Sequence, residues 1–451
     1  MMTALESVPT ELAGIVGSTH VVTEEATCRS AAVDGLQPKA MVYPQSAEQV
    51  AAVLKCAADH DLAVIPHRNG TKIEVGNRPR RYDIALSLKD LNSIWQYEPE
   101  DLTASVEPGI KLGDLQRMLR RHRLWLPLDP AGGARASLGG ILATNASGPL
   151  RLFYGAPRDL VVGMKIATTE GKIISTGGRV VKNVAGYDLS KLLIGSHGTL
   201  GVIVEANLKL FPLPAERETF AFAVASLDAA RELRRQILHS ALTPIRMVYM
   251  DGEFRRLVLE PAGDARAAGE SALWVEAAGS KRVIGRYSRT LADLGRSVST
   301  AVASLGAEEA ARGWQRIADF RALIAQSFPD SVILKVMLPI SATEDFLAAA
   351  RQECERAKAR LGILAQPGSG VAHLCLPEVA ARANAVGLIE NLRRAAAALR
   401  GALVVERCSP EVKTQIDVWG PTGSDFQIMR KLKQAWDPKG ILSPGRFVGS
   451  L

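Results

Sequence analysis

Between Gly132 and Pro212 the chain carries two clusters of glycine that constrain its backbone more than any other stretch does. The first reads GGARASLGGILATNASGP, and Ser137 stands where it can cap a short helix whose first turn holds Gly139 and Gly140. Glycines there strip side chains from around helix-terminal N–H groups, which opens them to an anion. In the second cluster Gly195, Gly198 and Gly201 recur at every third position, just before the β-branched run Val202-Ile203-Val204. Bare backbone at the entrance to a strand lets a flat or anionic ligand come close. Either cluster alone is also what turns in a glycine-rich protein look like. Two of them, with Asn145, Ser147, Tyr154, Asp159, Lys182, Asn183, Tyr187 and Asp188 interleaved, point to one ligand site drawn from both.

At 451 residues the chain is long enough for two or three domains. Its 47% hydrophobic and 23% charged content is that of an ordinary globular protein. No apolar run approaches the roughly 18 residues of a membrane span, and no basic, apolar leader opens the sequence. Cys28, Cys56, Cys354, Cys375 and Cys408 stand far apart with no C-x-x-C pair, which suits a reducing cytoplasm and argues against iron–sulfur or zinc ligation. The net charge is +8, with basic clusters at Arg78-Pro79-Arg80-Arg81, Arg120-Arg121-His122-Arg123 and Arg234-Arg235. These lack the interleaved aromatics and motifs of a nucleic-acid reader. An anionic cofactor or an acidic partner subunit accounts for the excess, as do solvated helix faces.

Taken in order, residues 1–35 read as a short helical lead-in. Residues 40–43 form a strand, Ser46 with Gln49 makes a capping pattern, and Val50, Val53, Leu54 and Ala57 follow at helical spacing. Residues 62–65 give the next strand, so a βαβ unit with a parallel pair is expected. Strands at 84–88 and 102–106 follow, then a helix with Leu112, Leu115 and Leu119 on one face. Strands 160–168 and 172–175 flank the hairpin signal Thr169-Glu170-Gly171. No G-x-G-x-x-G opens a helix after a strand, and no Walker-type loop is present, so the unit is not a Rossmann or P-loop domain. Beyond Pro214 the composition shifts to alanine, arginine and leucine. Strands at 220–225, 246–250, 272–277, 331–338, 371–376 and 402–405 alternate with helices at 229–238, through 291, at 346–361 and at 388–399. This predicts a ferredoxin-like sheet covered by helices.

ASLGGILATNASGP, YGAPRDLVVG and GGRVVKNVAGYDLSKLLIGSHGTLGVI together resemble the FAD-binding domain of the vanillyl-alcohol-oxidase/PCMH flavoproteins. Within that superfamily GGRVVKNVAGYDLSKLL is most similar to the FAD-binding E subunits of bacterial glycolate oxidases. The likeness runs over residues 36–214 and returns at DPKGILSPGRF. It implies an α+β fold: a PCMH-type two-subdomain FAD-binding domain at 36–214, a ferredoxin-like α+β cap at 215–415 that closes over the flavin, and a C-terminal segment, 416–451, returning to the first domain. The FAD contacts implied are Ser137, Leu138, Gly139, Gly140, Asn145, Ser147, Gly148, Tyr154, Gly155, Asp159, Lys182, Gly198, Thr199, Gly201, Val202 and Ile203. The pyrophosphate loop of the family matches His67-Arg68-Asn69-Gly70-Thr71-Lys72, but Arg68 and Asn69 stand where glycines are usual, and side chains such as Arg68 or Lys72 are expected to pair a phosphate. Thr71 occupies the place of the histidine that many relatives bond to the flavin, so FAD is expected to be non-covalent. Arg446 is expected near the flavin ring, stabilising negative charge on its reduced form.

Relatives that oxidise 2-hydroxy acids hold a divalent metal with two cap histidines one residue apart and a later glutamate–histidine pair. The matching cap stretch here keeps only His373, and the later position reads Val405-Glu406-Arg407-Cys408, so no metal is expected. The resemblance therefore implies an FAD-carrying subunit of a glycolate oxidase, or similar 2-hydroxy-acid dehydrogenase, with a sister FAD-linked subunit and an iron–sulfur subunit. Such a complex is cytoplasmic, with peripheral membrane association open to it. Two alternatives stand beside it: a self-sufficient dehydrogenase using His373, Lys335 or Arg316, and a non-enzymatic FAD-bound scaffold.

Overall fold

The computed structural model describes residues 4–178, 186–259, 270–379 and 382–451, which separate into two compact units. The first comprises Met1–Ala146, Ala156–Leu213 and Pro421–Leu451; the second comprises Ser147–Gly155 and Pro214–Gly420. The lead-in is thus part of the first unit, and the nine residues Ser147–Gly155 belong with the second, against expectation. Their short helix Arg151–Tyr154 lays Leu152 onto the apolar core of that unit, which holds the segment there.

The first unit has two layers of sheet. Strands β1 (Val21–Val22), β2 (Ala40–Val42), β3 (Val64–His67) and β4 (Ile84–Ser87) form a sheet in the order β1-β2-β4-β3. The expected parallel pairing of β2 with β3 is corrected: each pairs in parallel with β4, which lies between them. The crossover is the helix Ala47–Asp59, whose N-cap Ser46 accepts the Gln49 N–H. The Gln49 side chain in turn accepts from the Gln45 N–H at 2.7 Å. Strands β5 (Ile94–Glu98), β6 (Thr103–Val106), β8 (Val161–Ala167), β9 (Ile173–Gly177) and β10 (Val202–Lys209) make an antiparallel sheet ordered β5-β6-β10-β8-β9. Beside it lies a small pair, β7 (Leu124–Trp125) with β11 (Phe211–Pro212). Val50, Val53 and Leu54 of the crossover helix are buried among Val42, Val64 and Leu86 of the first sheet and Val202 and Val204 of the second, cementing the two. A second core joins Leu112, Leu115, Leu119, Leu138 and Ile141 to β6, β8 and β10.

The C-terminal segment is stitched into this unit by backbone. Val64 N–H donates to the Ile441 carbonyl at 2.8 Å, Ser443 N–H to the Val64 carbonyl at 2.9 Å, and Asn77 N–H to the Arg446 carbonyl at 3.0 Å.

The second unit contains one antiparallel sheet of eight strands: β12 (Glu216–Val224), β13 (Arg246–Met250), β14 (Ser271–Gly279), β15 (Val302–Ser304), β16 (Val332–Met337), β17 (Gly362–Gln366), β18 (Val371–Leu376) and β19 (Ala402–Arg407). Their order is β15-β12-β14-β13-β17-β18-β16-β19. Strands β12–β15 with the helices Leu227–His239 and Lys281–Ser297 run β-α-β-β-α-β, and β16–β19 with Thr343–Arg356 and Arg382–Ala398 repeat that pattern. The expected ferredoxin-like sheet is therefore present twice, with the two copies joined edge to edge where Tyr249 and Met250 face Ala365 and Leu364. Strand β17 occupies residues next to those expected to extend a helix, since the helix Thr343–Arg356 stops before Lys358, which has φ +53°.

Candidate functional site

The first unit holds a cleft of about 1040 Å³, open solvent at its mouth included. Four sequence-remote pieces line it: the loop after β3, the short helix Leu138–Ala143, the glycine turn before β10, and the C-terminal Ser443 and Arg446. His197 N–H donates to the Ala143 carbonyl at 2.8 Å and Gly195 N–H to the Leu142 carbonyl at 3.0 Å, so the two glycine clusters are docked onto each other. Asn145, His197 and Ser443 adopt left-handed φ of 45°, 54° and 45° around this junction. Such a conformation costs a side-chain-bearing residue on the order of 1 kcal/mol, and neighbouring backbone bonds hold it here.

Ser137 caps the short helix as expected, its Oγ accepting the Gly140 N–H at 3.4 Å. The other first-turn donors are already engaged: Leu138 N–H bonds the Ile110 carbonyl and Gly139 N–H the Pro108 carbonyl at 2.7 Å. The expected anion site at this helix end is corrected accordingly. A Cβ on Gly139 would sit 2.7 Å from that of Pro108, and one on Gly201 would sit 2.6 Å from the Ile166 methyl, so both are glycine for packing. Gly140 differs. It is exposed in the cleft, and only the Ser137 Oγ, at 3.2 Å, lies within 4 Å of where its side chain would start.

The loop after β3 has the opposite character. Among the described residues, the N–H groups of Asn69, Gly70 and Thr71 have no backbone acceptor. Arg68 Nε donates to the Gly109 carbonyl at 3.1 Å and Asn69 Nδ2 to the Arg135 carbonyl, so these side chains brace the loop rather than extend from it. Arg446 braces it from beneath: its buried guanidinium donates to the Ile73 and Val75 carbonyls. Burial lowers the pKa of Arg446 from its ordinary value. His67 closes the strand, and burial pushes its imidazole down to about 4, which leaves it neutral at pH 7. Its Nε2 is buried without a hydrogen-bond partner among the described residues.

Of the expected contacts, His67, Arg68, Asn69, Gly70, Thr71, Lys72, Ser137, Gly139, Gly140, Gly198, Gly201, Val202, Ile203 and Arg446 line this cleft. Leu138 is buried in the core, and Asn145 is half-buried and not among the lining residues, its Oδ1 without a hydrogen-bond partner among the described residues. Asp159 accepts the Ala156 N–H at 2.8 Å and so starts the helix Pro157–Leu160. Ser147, Gly148, Tyr154 and Gly155 belong to the second unit, and Lys182 falls outside the described residues. Thr199 contributes its carbonyl to an anchor that the sequence did not announce. Lys433 Nζ is buried and donates to Thr199 O at 2.8 Å, Leu442 O at 2.9 Å and Asp437 Oδ2 at 2.6 Å. Asp437 in turn accepts the Ile441 and Leu442 N–H groups, which turns the chain toward Ser443. The i,i+4 spacing of Lys433 and Asp437 was the available signal.

In the second unit His373 lies on β18, 6% exposed, with its ring against Phe320 at 5.1 Å. Its Nε2 stands 3.9 Å from Glu406 Oε2. Arg321 closes on the same carboxylate at 3.5 Å and donates to the Glu406 carbonyl at 3.0 Å. Arg316 spends its Nε on the Val258 carbonyl.

The cleft suits an elongated dinucleotide. Ile65, Pro108, Ile141 and Val202 give apolar walls, the loop offers unclaimed N–H groups, and Lys72 is among the lining residues. An unpartnered His67 nitrogen awaits a polar ligand atom, and beside Gly140 there is room. FAD fits these features. Residues 38–177 match the family described as FAD binding domain, and residues 213–447 match FAD linked oxidases, C-terminal domain. The chain is 27% identical to the glycolate oxidase subunit GlcD of Bacillus subtilis, over 91% of this chain and 89% of that one. It is also 27% identical to the D-lactate dehydrogenase of Archaeoglobus fulgidus, over 91% of each. Among solved structures, p-cresol methylhydroxylase with substrate bound superposes with a TM-score of 0.76 at 18% identity, covering 99% of this chain and 97% of that one.

Proposed function

We infer the function from one premise, that this chain belongs to the FAD-linked oxidase family. It is an FAD-dependent oxidoreductase with the PCMH-type fold, and the proposal is that it serves as the FAD-carrying subunit of a glycolate-oxidase-type 2-hydroxy-acid dehydrogenase. A sister FAD-linked subunit would bind and oxidise the small 2-hydroxy acid, and an iron–sulfur subunit would take the electrons. FAD supplies two-electron acceptance with one-electron release. In this reading the chain holds that cofactor in the cleft of the first unit: the N–H groups of Asn69–Gly70–Thr71 and Lys72 face its pyrophosphate, and neutral His67 donates or accepts one hydrogen bond. Arg446 keeps the loop in place from below.

The observation that carries the proposal is the Arg321–Glu406–His373 cluster. A metal-assisted hydroxy-acid site needs ligands whose negative charge is left for the ion. Here the Glu406 carboxylate is buried against the Arg321 guanidinium, which already supplies the positive charge. No helix among the described residues is long and apolar enough to cross a membrane, and a cytoplasmic location is proposed with the rest. Arg120, Arg121 and Arg123 are exposed and offer a basic face to an acidic partner subunit.

The test is anaerobic mixing of the isolated, FAD-loaded chain with excess glycolate or D-lactate, following flavin absorbance. Little bleaching alone, and full bleaching once partner subunits are added, is the expected result. Rapid bleaching of the isolated chain would instead make it a self-sufficient dehydrogenase. That second reading is favoured by the likeness to the Archaeoglobus enzyme over 91% of both chains.

A further inference from the structure

We propose that Glu11, Cys56 and His60 form a binding site for one zinc ion, held between the helices Ala4–Val16 and Ala47–Asp59. The ligand atoms of the three residues lie within 4.8 Å of one another. Cys56 is in the last turn of its helix and His60 is the C-cap, four residues on, its N–H donating to the Cys56 carbonyl at 3.1 Å, so the two stand one turn apart on the same side. Glu11 arrives from the N-terminal helix, its Oε2 2.8 Å from His60 Nε2. Tetrahedral zinc, with bonds of about 2.0–2.3 Å, places its ligand atoms about 3.3–3.7 Å apart. The glutamate–histidine contact must therefore open slightly, and the other separations, all within 4.8 Å, must settle at that spacing, which side-chain rotation permits at two partly exposed residues.

The donor set decides the metal. A thiolate, an imidazole and a carboxylate together suit zinc and its neighbours, whereas magnesium and calcium want oxygen alone. The free Cys56 thiol is kept protonated by burial and by the Glu11 and Asp59 carboxylates, so the ion displaces that proton to water. Asp59 is engaged by Lys55 at 2.8 Å, which leaves the fourth position to a water molecule reaching past Glu11 and His60. The ion would pin the N-terminal helix to the crossover helix of the FAD-binding unit. The same C-terminal end of that crossover helix is also tied by Lys439, whose Nζ donates to the Ala58 carbonyl at 2.7 Å. The scattered cysteines carry no C-x-x-C pair, and a cysteine with a histidine one helical turn on, completed from another helix, leaves no such signature.

The full chain, tag removed and stripped with chelator, is titrated with Co²⁺ and then Zn²⁺. Difference spectra should develop d–d bands to the red of the flavin absorption and a thiolate-to-cobalt charge-transfer band, saturating at one ion per chain. Zinc should bleach these bands and excess Mg²⁺ should not. Cys56→Ser should lose the charge-transfer band, and His60→Ala should weaken binding at least tenfold, both with unchanged FAD content. Should Cys56→Ser fail to fold, His60→Ala, at a side chain 31% exposed, still decides the matter. Absence of saturable bands in the wild type, or bands that survive in His60→Ala at wild-type affinity, overturns the site.

Discussion

Gly139 and Gly140 are adjacent, and the structure predicts opposite consequences for substituting them. In Gly140→Val the new side chain starts in open cleft, with only the Ser137 Oγ nearby at 3.2 Å. Removing a helical glycine gains about 0.5–1 kcal/mol, and the β-branch of valine gives most of that back. The apoprotein should therefore unfold within about 0.5 kcal/mol of wild type. The cost falls on the cofactor, whose space the isopropyl group enters. Overfilling a fitted site costs about 1–3 kcal/mol, which is roughly a 5- to 150-fold loss of FAD affinity. In Gly139→Ala the added methyl meets Pro108 at 2.7 Å, and relieving that contact stretches the 2.7 Å Gly139–Pro108 hydrogen bond. Here the same 1–3 kcal/mol or so is lost from folding. Urea unfolding of FAD-stripped protein reads the first quantity, and flavin-fluorescence quenching on titration with FAD reads the second. A Gly140→Val variant that binds FAD with wild-type affinity, or that is as unstable as Gly139→Ala, would refute the placement of the cofactor beside this helix.

Three further outcomes are expected. Denaturation should release intact FAD into solution, because Thr71 cannot form the bond a histidine makes to the flavin; flavin that stays with precipitated polypeptide would contradict this. Lys433→Met leaves the fully buried Asp437 carboxylate uncompensated and two carbonyls without a donor. It should cost about 3–5 kcal/mol in chemical denaturation and reduce FAD occupancy, since Ser443 and Arg446 follow that turn. Burial pushes the Asp251 carboxyl up to about 6 from 3.8, although its Oδ1 accepts the Phe254 and Ile363 N–H groups. Between those values the folded protein keeps a proton that the unfolded chain releases, so stability falls as pH rises through this window, by up to about 3 kcal/mol. Asp251→Asn should flatten that slope in denaturation curves taken from pH 4 to 7; an unchanged slope would place the titration elsewhere.

Much of the molecule was legible from local pattern. Capping by Ser46 and Ser137, the 169–171 hairpin, the apolar stripe Leu112-Leu115-Leu119 and most strands of both units follow from spacing, which reports how a segment presents one face. The two glycine clusters and the 67–72 loop marked the walls of the cleft, because backbone bare of side chains is needed wherever a ligand comes close. What spacing cannot carry is which distant atoms a segment meets. Only the tertiary structure showed that β4 inserts between β2 and β3, and that Ser147–Gly155 packs with the second unit through Leu152. The doubling of the ferredoxin-like pattern was hidden for the same reason, since its seam is a pairing of two strand edges far apart in the chain. Arg68 reads as a phosphate ligand in isolation, yet it and Asn69 are braces because the Gly109 and Arg135 carbonyls lie within their reach. Gly139 and Gly140 look alike in the sequence, and one neighbour, Pro108, separates their roles. Local chemistry determined which segments could line a site, while the packing of sequence-remote groups against them decided which atoms were left free to bind.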